Sequence, residues 1–413
     1  MQASFALTKN GLKESLHQDC LVKVLKDIPY SRQWIEEQDI QSVVEILKSD
    51  YLTQGPAGEV FERSLATYFG VKRAVVCSSG TAALHLAYAG MGVNEKSLGL
   101  VPPITFAATA NAFLFLNAEV AFCDVDPVTG LLATENLESV MQEKSFDNSA
   151  VNLVAPVSYA GALAPLRESA KIARRFGFSL VEDASHSPGA WSEEEESRES
   201  SGACEHTQAA TLSFHPVKHI CCGEGGAVLT NDDELADRIT HLRSHGIARP
   251  NDPGGKRPWF YEQTELGWNY RLTDIQSALG IAQLARLDQF IERRRILASR
   301  YQKYLSTAPF SDILSLPLAN PGHAWHIYVI RFHKTGQRDK AHLFLKERGI
   351  HSQIHYVPIY RHPYYERHFD KVRFPGAETF YESCLSIPLF PKMTDSEQDR
   401  VVETLADYVE QAR

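Results

Sequence analysis

Between residues 74 and 230 short apolar runs alternate with helical stretches, and this alternation constrains the fold more than any other feature. Residues 74–77, 98–101, 120–125, 151–157, 179–181, 209–214 and 227–230 read as buried strands. Residues 81–91, 107–116 and 166–176 read as helices between them. Strand, helix, strand in this order indicates an α/β layer fold built on a mostly parallel sheet. Ahead of it, a helix over 34–48 carries Ile40, Val43, Val44 and Leu47 on one face. Gly55-Pro56 breaks the chain, and a second helix follows with Val60, Phe61, Leu65 and Tyr68. After the sheet, a helical stretch over 273–305, with room for a bend, leads toward a strand at 327–332 and helices at 341–346 and 396–412. The expected organisation is an extension at 1–27, a large domain over 28–272, and a connecting helix with a small C-terminal domain over 273–413. The charged stretch SEEEESRESS at 192–201 reads as a solvated loop.

Composition narrows the function. At 413 residues the chain is long enough for two or three domains. A net charge of -9 argues against a nucleic-acid partner, although one basic pocket can still hold a small anion. No apolar run is long enough to cross a bilayer, and the polar N-terminus lacks the apolar core of a secretion signal. Seven cysteines without C-x-x-C spacing fit reduced thiols in the cytoplasm.

Four segments carry the chemistry. Ser78-Ser79-Gly80-Thr81 lies where a strand gives way to a helix. The free N–H groups there suit a phosphate, or simply a capped helix start. Asp183, in Glu182-Asp183-Ala184-Ser185-His186, sits at a strand's carboxyl end, where α/β sheets bind ligands. A carboxylate there can keep a ring nitrogen protonated and make the ring an electron sink. His186 is placed to meet a ring substituent. Lys218, in Ser213-Phe214-His215-Pro216-Val217-Lys218, occupies a loop between two apolar strands. Partial burial would depress its pKa and free the amine for imine formation. Ser213 could add a phosphate contact. Trp268-Asn269-Tyr270-Arg271-Leu272-Thr273 offers polar ends ahead of a helix start at Thr273-Asp274. Alone, each segment also has an ordinary structural reading.

Together, in this order, they resemble the DegT/DnrJ/EryC1/StrS family of sugar aminotransferases. The matching motifs are S-S-G-T-A-A-L at 78–84, P-P-I-T-F at 102–106, E-D-A-S-H at 182–186, S-F-H-P-V-K at 213–218, G-E-G-G at 223–226 and W-N-Y-R-L-T at 268–273. The resemblance implies an aspartate aminotransferase-like fold (fold type I), pyridoxal 5'-phosphate as cofactor, and a homodimer with shared active sites. It implies Lys218 as the Schiff-base lysine and Asp183 as partner of the pyridine nitrogen. Phe106 would stack on the ring, His186 would touch its hydroxyl, and Gly80, Thr81 and Ser213 would hold the phosphate. Asn269 would reach the phosphate from the neighbouring subunit. I-P-Y-S-R-Q-W-I at 28–35, L-T-Q-G-P at 52–56 and S-I-P-L-F-P-K-M-T at 386–394 resemble, more narrowly, the pseudaminic acid branch. That implies L-glutamate and a UDP-linked 4-keto-sugar as substrates. Another nucleotide-linked keto-sugar, or sugar dehydration with pyridoxamine phosphate, remains an alternative. The chain departs from the family pattern at Cys221-Cys222, where two Thr are expected, and at Tyr360, where His is frequent.

Overall fold

The computed structural model describes residues 26–194, 197–248, 257, 259–367 and 374–412. Most of the expected N-terminal extension and the acidic tip at 195–196 therefore lie outside the described residues.

The strands in chain order are β1 (Arg73–Cys77), β2 (Leu98–Val101), β3 (Glu119–Phe122), β4 (Leu153–Val154), β5 (Ser179–Asp183), β6 (Trp191–Glu194), β7 (Ser197–Ser200), β8 (Ala209–Ser213) and β9 (Gly226–Thr230). Seven of them form one sheet in the order β1-β9-β8-β5-β4-β2-β3. Only β9 runs against its neighbours, pairing antiparallel with both β1 and β8. The carboxyl ends of β1, β5 and β8 therefore lie along one edge of the sheet. The strands are apolar because both faces are covered. One cluster packs Val75, Val181 and Val228 against the helix Gly80–Met91, and another packs Val76, Leu212 and Leu229 against Phe61, Leu65 and Phe290.

A second, three-stranded antiparallel sheet joins Leu314–Ser315, Tyr328–Phe332 and Cys384–Ile387. Leu297, Tyr301 and Leu305 pack on it with Leu345, Val401, Leu405 and Ile28. The helical stretch expected over 273–305 is two helices, Asp274–Leu284 and Leu287–Leu305. Arg286 stands at the break and donates to the backbone oxygen of Trp34 at 3.1 Å while pairing with Glu36 and Asp39. The first helix begins at Glu37 rather than at residue 34 for the same reason. Trp34 faces Phe290 at 5.7 Å, and its carbonyl is held by Arg286 and Gln283.

The described residues of the segment 192–201 are mostly strand rather than loop. β6 and β7 form a hairpin whose register sets Glu193 opposite Arg198 and Trp191 opposite Ser200. The Arg198 guanidinium lies 4.4 Å over the Trp191 ring. Opposite charges across the strands and a cation on an aromatic face make this charged sequence foldable.

Behind the hairpin lies Glu182, fully buried. Its carboxylate accepts from Ser158 Oγ at 2.6 Å, Ser201 Oγ at 2.7 Å and the Gly202 N–H at 2.9 Å. It ties β5 to the segment that follows the hairpin. Glu182→Leu leaves these three donors unpaired in the interior, and we expect a loss of about 3 kcal/mol in urea unfolding. Glu182→Gln, which keeps one acceptor, is expected to lose roughly half as much.

Candidate active site

A cavity of about 640 Å³ opens at the edge of the large sheet where β1, β5 and β8 end. Its wall includes Ser79, Gly80, Thr81, Phe106, Asp183, His186, Ser213 and Lys218. Residues expected from the sequence to act together thus share one space, drawn from four separate stretches of chain. A groove of about 700 Å³ elsewhere, between Tyr68, Trp191 and the helix Leu287–Leu305, is larger but includes none of these groups.

Each position follows from local structure. Asp183 is the last residue of β5 and is buried. Thr109 Oγ1 donates to its Oδ2 at 2.8 Å, and the Ser185 N–H donates to its Oδ1 at 3.1 Å. Thr105 Oγ1 lies 2.9 Å from Thr109 Oγ1, so two hydroxyls aim this carboxylate. Lys218 sits on the loop after β8. The loop is closed by Lys218 N–H to the His215 carbonyl at 2.9 Å and by Cys222 N–H to the Phe214 carbonyl at 2.9 Å. Burial pushes the Lys218 amine down to about 8, against the pull of the Asp183 charge.

The residues expected to hold a phosphate surround the start of the helix Gly80–Met91. Ser79 caps it, its Oγ accepting from the Ala82 N–H at 3.1 Å. A Cβ on Gly80 would stand 2.8 Å from the Ser213 Cβ, so only glycine lets these two segments close on one small anion. Phe106 is 62% exposed at the cavity mouth, with a free ring face to offer. His186 is buried, and burial together with Lys218 drives its pKa well below the usual histidine range. Its Nε2 lies 3.0 Å from the Tyr356 hydroxyl, while Nδ1 has no partner among the described residues.

Asn269 is the exception. It is exposed, bridges to Ser244 and is absent from its own chain's cavity wall. Sequence reasoning did not single out Thr109, Tyr30 or Tyr356, all of which serve or line the site. Thr109 had a weak signal, a hydroxyl one helical turn after Thr105 in an alanine-rich stretch. Tyr356 had none, because its place depends on the small sheet. Cys221 and Cys222 are buried as free thiols, and Tyr360 binds Glu378 at 2.8 Å, away from the cavity.

The family model for DegT/DnrJ/EryC1/StrS aminotransferases matches residues 33–406. The chain belongs to this family. It is a pyridoxal-phosphate-dependent aminotransferase. Within the family it is 36% identical to the UDP-4-amino-4,6-dideoxy-N-acetyl-beta-L-altrosamine transaminase of Campylobacter jejuni, over 94% of this chain and 98% of that one. It is 33% identical to the spore coat polysaccharide biosynthesis protein SpsC of Bacillus subtilis, over 93% of this chain and 98% of that one. The solved structure of Helicobacter pylori PseC, an aminotransferase of pseudaminic acid biosynthesis, superposes with a TM-score of 0.84 at 28% identity and covers 94% of this chain and 100% of that one. No helix of the described residues is long and apolar enough to cross a membrane.

The residues present fit the family's cofactor. A buried carboxylate, a lysine with a depressed pKa and a glycine-bounded helix start surround one cavity, and the unpartnered Nδ1 of His186 is a buried polar atom in its wall.

The neutral amine of Lys218 is the form that captures an aldehyde, and it predominates above its pKa. Capture of pyridoxal phosphate by the cofactor-free protein should therefore accelerate with rising pH around a midpoint near 8, rather than near 10.5. Stopped-flow absorbance checks this, and a rate still climbing steeply at pH 10 would contradict it.

Proposed function

We propose that this aminotransferase moves an amino group from L-glutamate to the C4 keto group of a UDP-linked 2-acetamido-2,6-dideoxy-hexos-4-ulose. The product is UDP-4-amino-4,6-dideoxy-N-acetyl-β-L-altrosamine, for pseudaminic acid biosynthesis. The observation that carries the chemistry is Lys218 and Asp183 facing one cavity. The substrate rests on the two Campylobacter jejuni relatives, 36% and 37% identical over nearly their full length, both named for this transamination.

When bound, the cofactor supplies an electron sink beside the carbon that exchanges its amine. Lys218 Nζ would hold it covalently. The same Nζ, when free, would take the proton from the donor's α-carbon and return it within the site. Asp183, aimed by Thr109, keeps the ring nitrogen protonated. Phe106 covers one ring face, and His186 meets the ring hydroxyl. Gly80, Thr81 and Ser213 grip the phosphate. Two substrates use the one site in turn, which makes the kinetics ping-pong. Glutamate would leave its amino group in the site and depart as 2-oxoglutarate, water supplying the keto oxygen, before the keto-sugar enters, takes up that amino group and gives up its own oxygen as water.

The exposure of Asn269 and its absence from its own cavity wall support a homodimer in which it serves the partner's phosphate. Unpaired thiols at the six described cysteines suit a cytoplasmic enzyme. Similarity to a spore coat polysaccharide protein supports a second reading, a different nucleotide-linked keto-sugar with the same chemistry. Sugar dehydration is less well supported. It would leave the imine-forming Lys218 without a purpose, and the neighbouring His219 is buried with Nε2 bound to the Ala324 carbonyl at 3.0 Å, outside the cavity wall.

Incubation with glutamate and a panel of UDP-linked keto-sugars, with products read by NMR, tests the substrate. Amination at C3, or of another sugar only, would refute it. Lys218→Ala should lose turnover by at least about a thousandfold, together with the imine absorption band. Asn269→Ala should bind cofactor about tenfold more weakly. Mixing these two variants should restore activity at limiting cofactor that neither shows alone; a mixture as inactive as its parts would refute shared sites.

A further inference from the structure

A hydrogen bond between His186 and Tyr356 joins two distant segments of the cavity wall. His186 Nε2 lies 3.0 Å from the Tyr356 hydroxyl, with the ring centroids 5.9 Å apart. His186 follows Asp183 on the loop after β5. Tyr356 comes from a segment tied to the small sheet. Gln353 and Ser386 exchange backbone hydrogen bonds at 2.9 and 2.8 Å, and the Ser386 hydroxyl lies 2.8 Å from His355 Nδ1. Ser386 belongs to the strand Cys384–Ile387. From the large sheet's side, Tyr159, on the loop after β4, donates its hydroxyl to the His355 carbonyl. The residue just before Tyr356 is therefore held by both sheets.

The Tyr356 ring also lies beside Phe106, with centroids 6.1 Å apart and 55° between planes. One tyrosine thus meets both residues expected to contact the cofactor ring, His186 through its hydroxyl and Phe106 through its ring.

Counting protons gives the bond a direction. Burial and Lys218 keep the His186 imidazole neutral, so it carries one N–H and one lone pair. Burial, Tyr30 and Asp183 raise the Tyr356 pKa far above the ordinary phenol value, so the hydroxyl keeps its proton. Among the described residues His186 Nδ1 has no partner, and His186 is the partner of the Tyr356 hydroxyl. If the ring donated from Nε2, the tyrosine proton and the Nδ1 lone pair would both go unmatched. If the tyrosine donates, only the Nδ1 N–H does. The second arrangement leaves fewer polar groups unpaired and costs less.

We propose that Tyr356 is a positioning residue: its hydroxyl donates to His186 Nε2, places the ring proton on Nδ1 and holds the imidazole where it meets the cofactor ring. The inference rests on the reading of His186 as a ring contact and deepens it. Tyr356 acts through His186. It makes the small sheet's docking part of cofactor binding, although the wall groups from Ser79 to Lys218 all come from the large-sheet half of the chain.

Tyr356→Phe removes the hydroxyl and keeps the ring and its packing. Two readouts test it together. Ring-nitrogen NMR of the unaltered, cofactor-free protein should show His186 protonated at Nδ1 and bare at Nε2, the signals being assigned by their absence in His186→Asn. Both signals should move in Tyr356→Phe. Equilibrium binding of pyridoxamine phosphate, followed by fluorescence, requires neither turnover nor an imine to Lys218. It should be about tenfold weaker in Tyr356→Phe with Tm unchanged, the scale of one lost hydrogen bond. His186 signals that stay in place in the variant, or pyridoxamine phosphate held as tightly as before, would overturn the role. Where the variant does not fold, the unaltered protein decides. A His186 proton on Nδ1, with both ring signals shifting as pyridoxamine phosphate is added, supports the proposal, and a proton on Nε2 overturns it. An unaltered protein that binds no pyridoxamine phosphate would instead defeat the cofactor reading itself, and this inference with it.

Discussion

The site depends on β5 and β8 lying side by side and pointing the same way. Val181 pairs with Ala209 and Asp183 with Thr211 in parallel register, so both strands deliver their next residues to one edge. Asp183 closes one strand, and the loop after the other carries Lys218. Had β8 run antiparallel to β5, the carboxylate and the amine would have left the sheet at opposite ends. The pairing is secured from both sides. Apolar side chains cover the strand faces, and Glu182, one residue before Asp183, is locked by three hydrogen bonds to the segments on either side.

Burial then sets the electrostatics. It favours the neutral form of each buried base. At Lys218 it favours the neutral amine and so prepares the chemistry, with the Asp183 charge limiting how far the shift goes. At His186, His219, His326 and His355 it removes charge altogether, His355 being pushed down to about 3. A lysine surrounded by cationic imidazoles would have lost its proton much more readily and held any anion differently. Neutral rings leave the cavity's charge balance to Lys218, Asp183 and whatever is bound between them.

The large sheet was legible because its strands are fully buried and its helices cover them, so the sequence shows uninterrupted apolar runs separated by helical stretches. The residues at the strand ends were legible for the same reason. A charged or polar residue directly after such a run can only stand at the edge. The hairpin at Trp191–Ser200 was not legible, because its stability comes from Glu193 facing Arg198 and Arg198 lying on Trp191. In sequence those residues look like any solvated charged stretch. The place of the bend in 273–305, at Ala285-Arg286, escaped for a related reason. Neither residue disfavours a helix, and the interruption coincides with Arg286 reaching Trp34, Glu36 and Asp39 far back in the chain.

By itself, the sequence determined the class of fold and the family, and it singled out Lys218, Asp183, Gly80, Thr81 and Ser213, which share one cavity wall, because these follow from local order along the chain. Only the tertiary structure decided that Thr109 aims Asp183, that Tyr356 reaches His186 across 170 positions, and that His326 stacks behind it. It also decided that Asn269 is exposed and absent from its own cavity wall. Such relations exist only once sheet, helices and the small-sheet segment are packed together, since contacts between distant residues are set by shape and burial, and neither is written in the spacing of a motif.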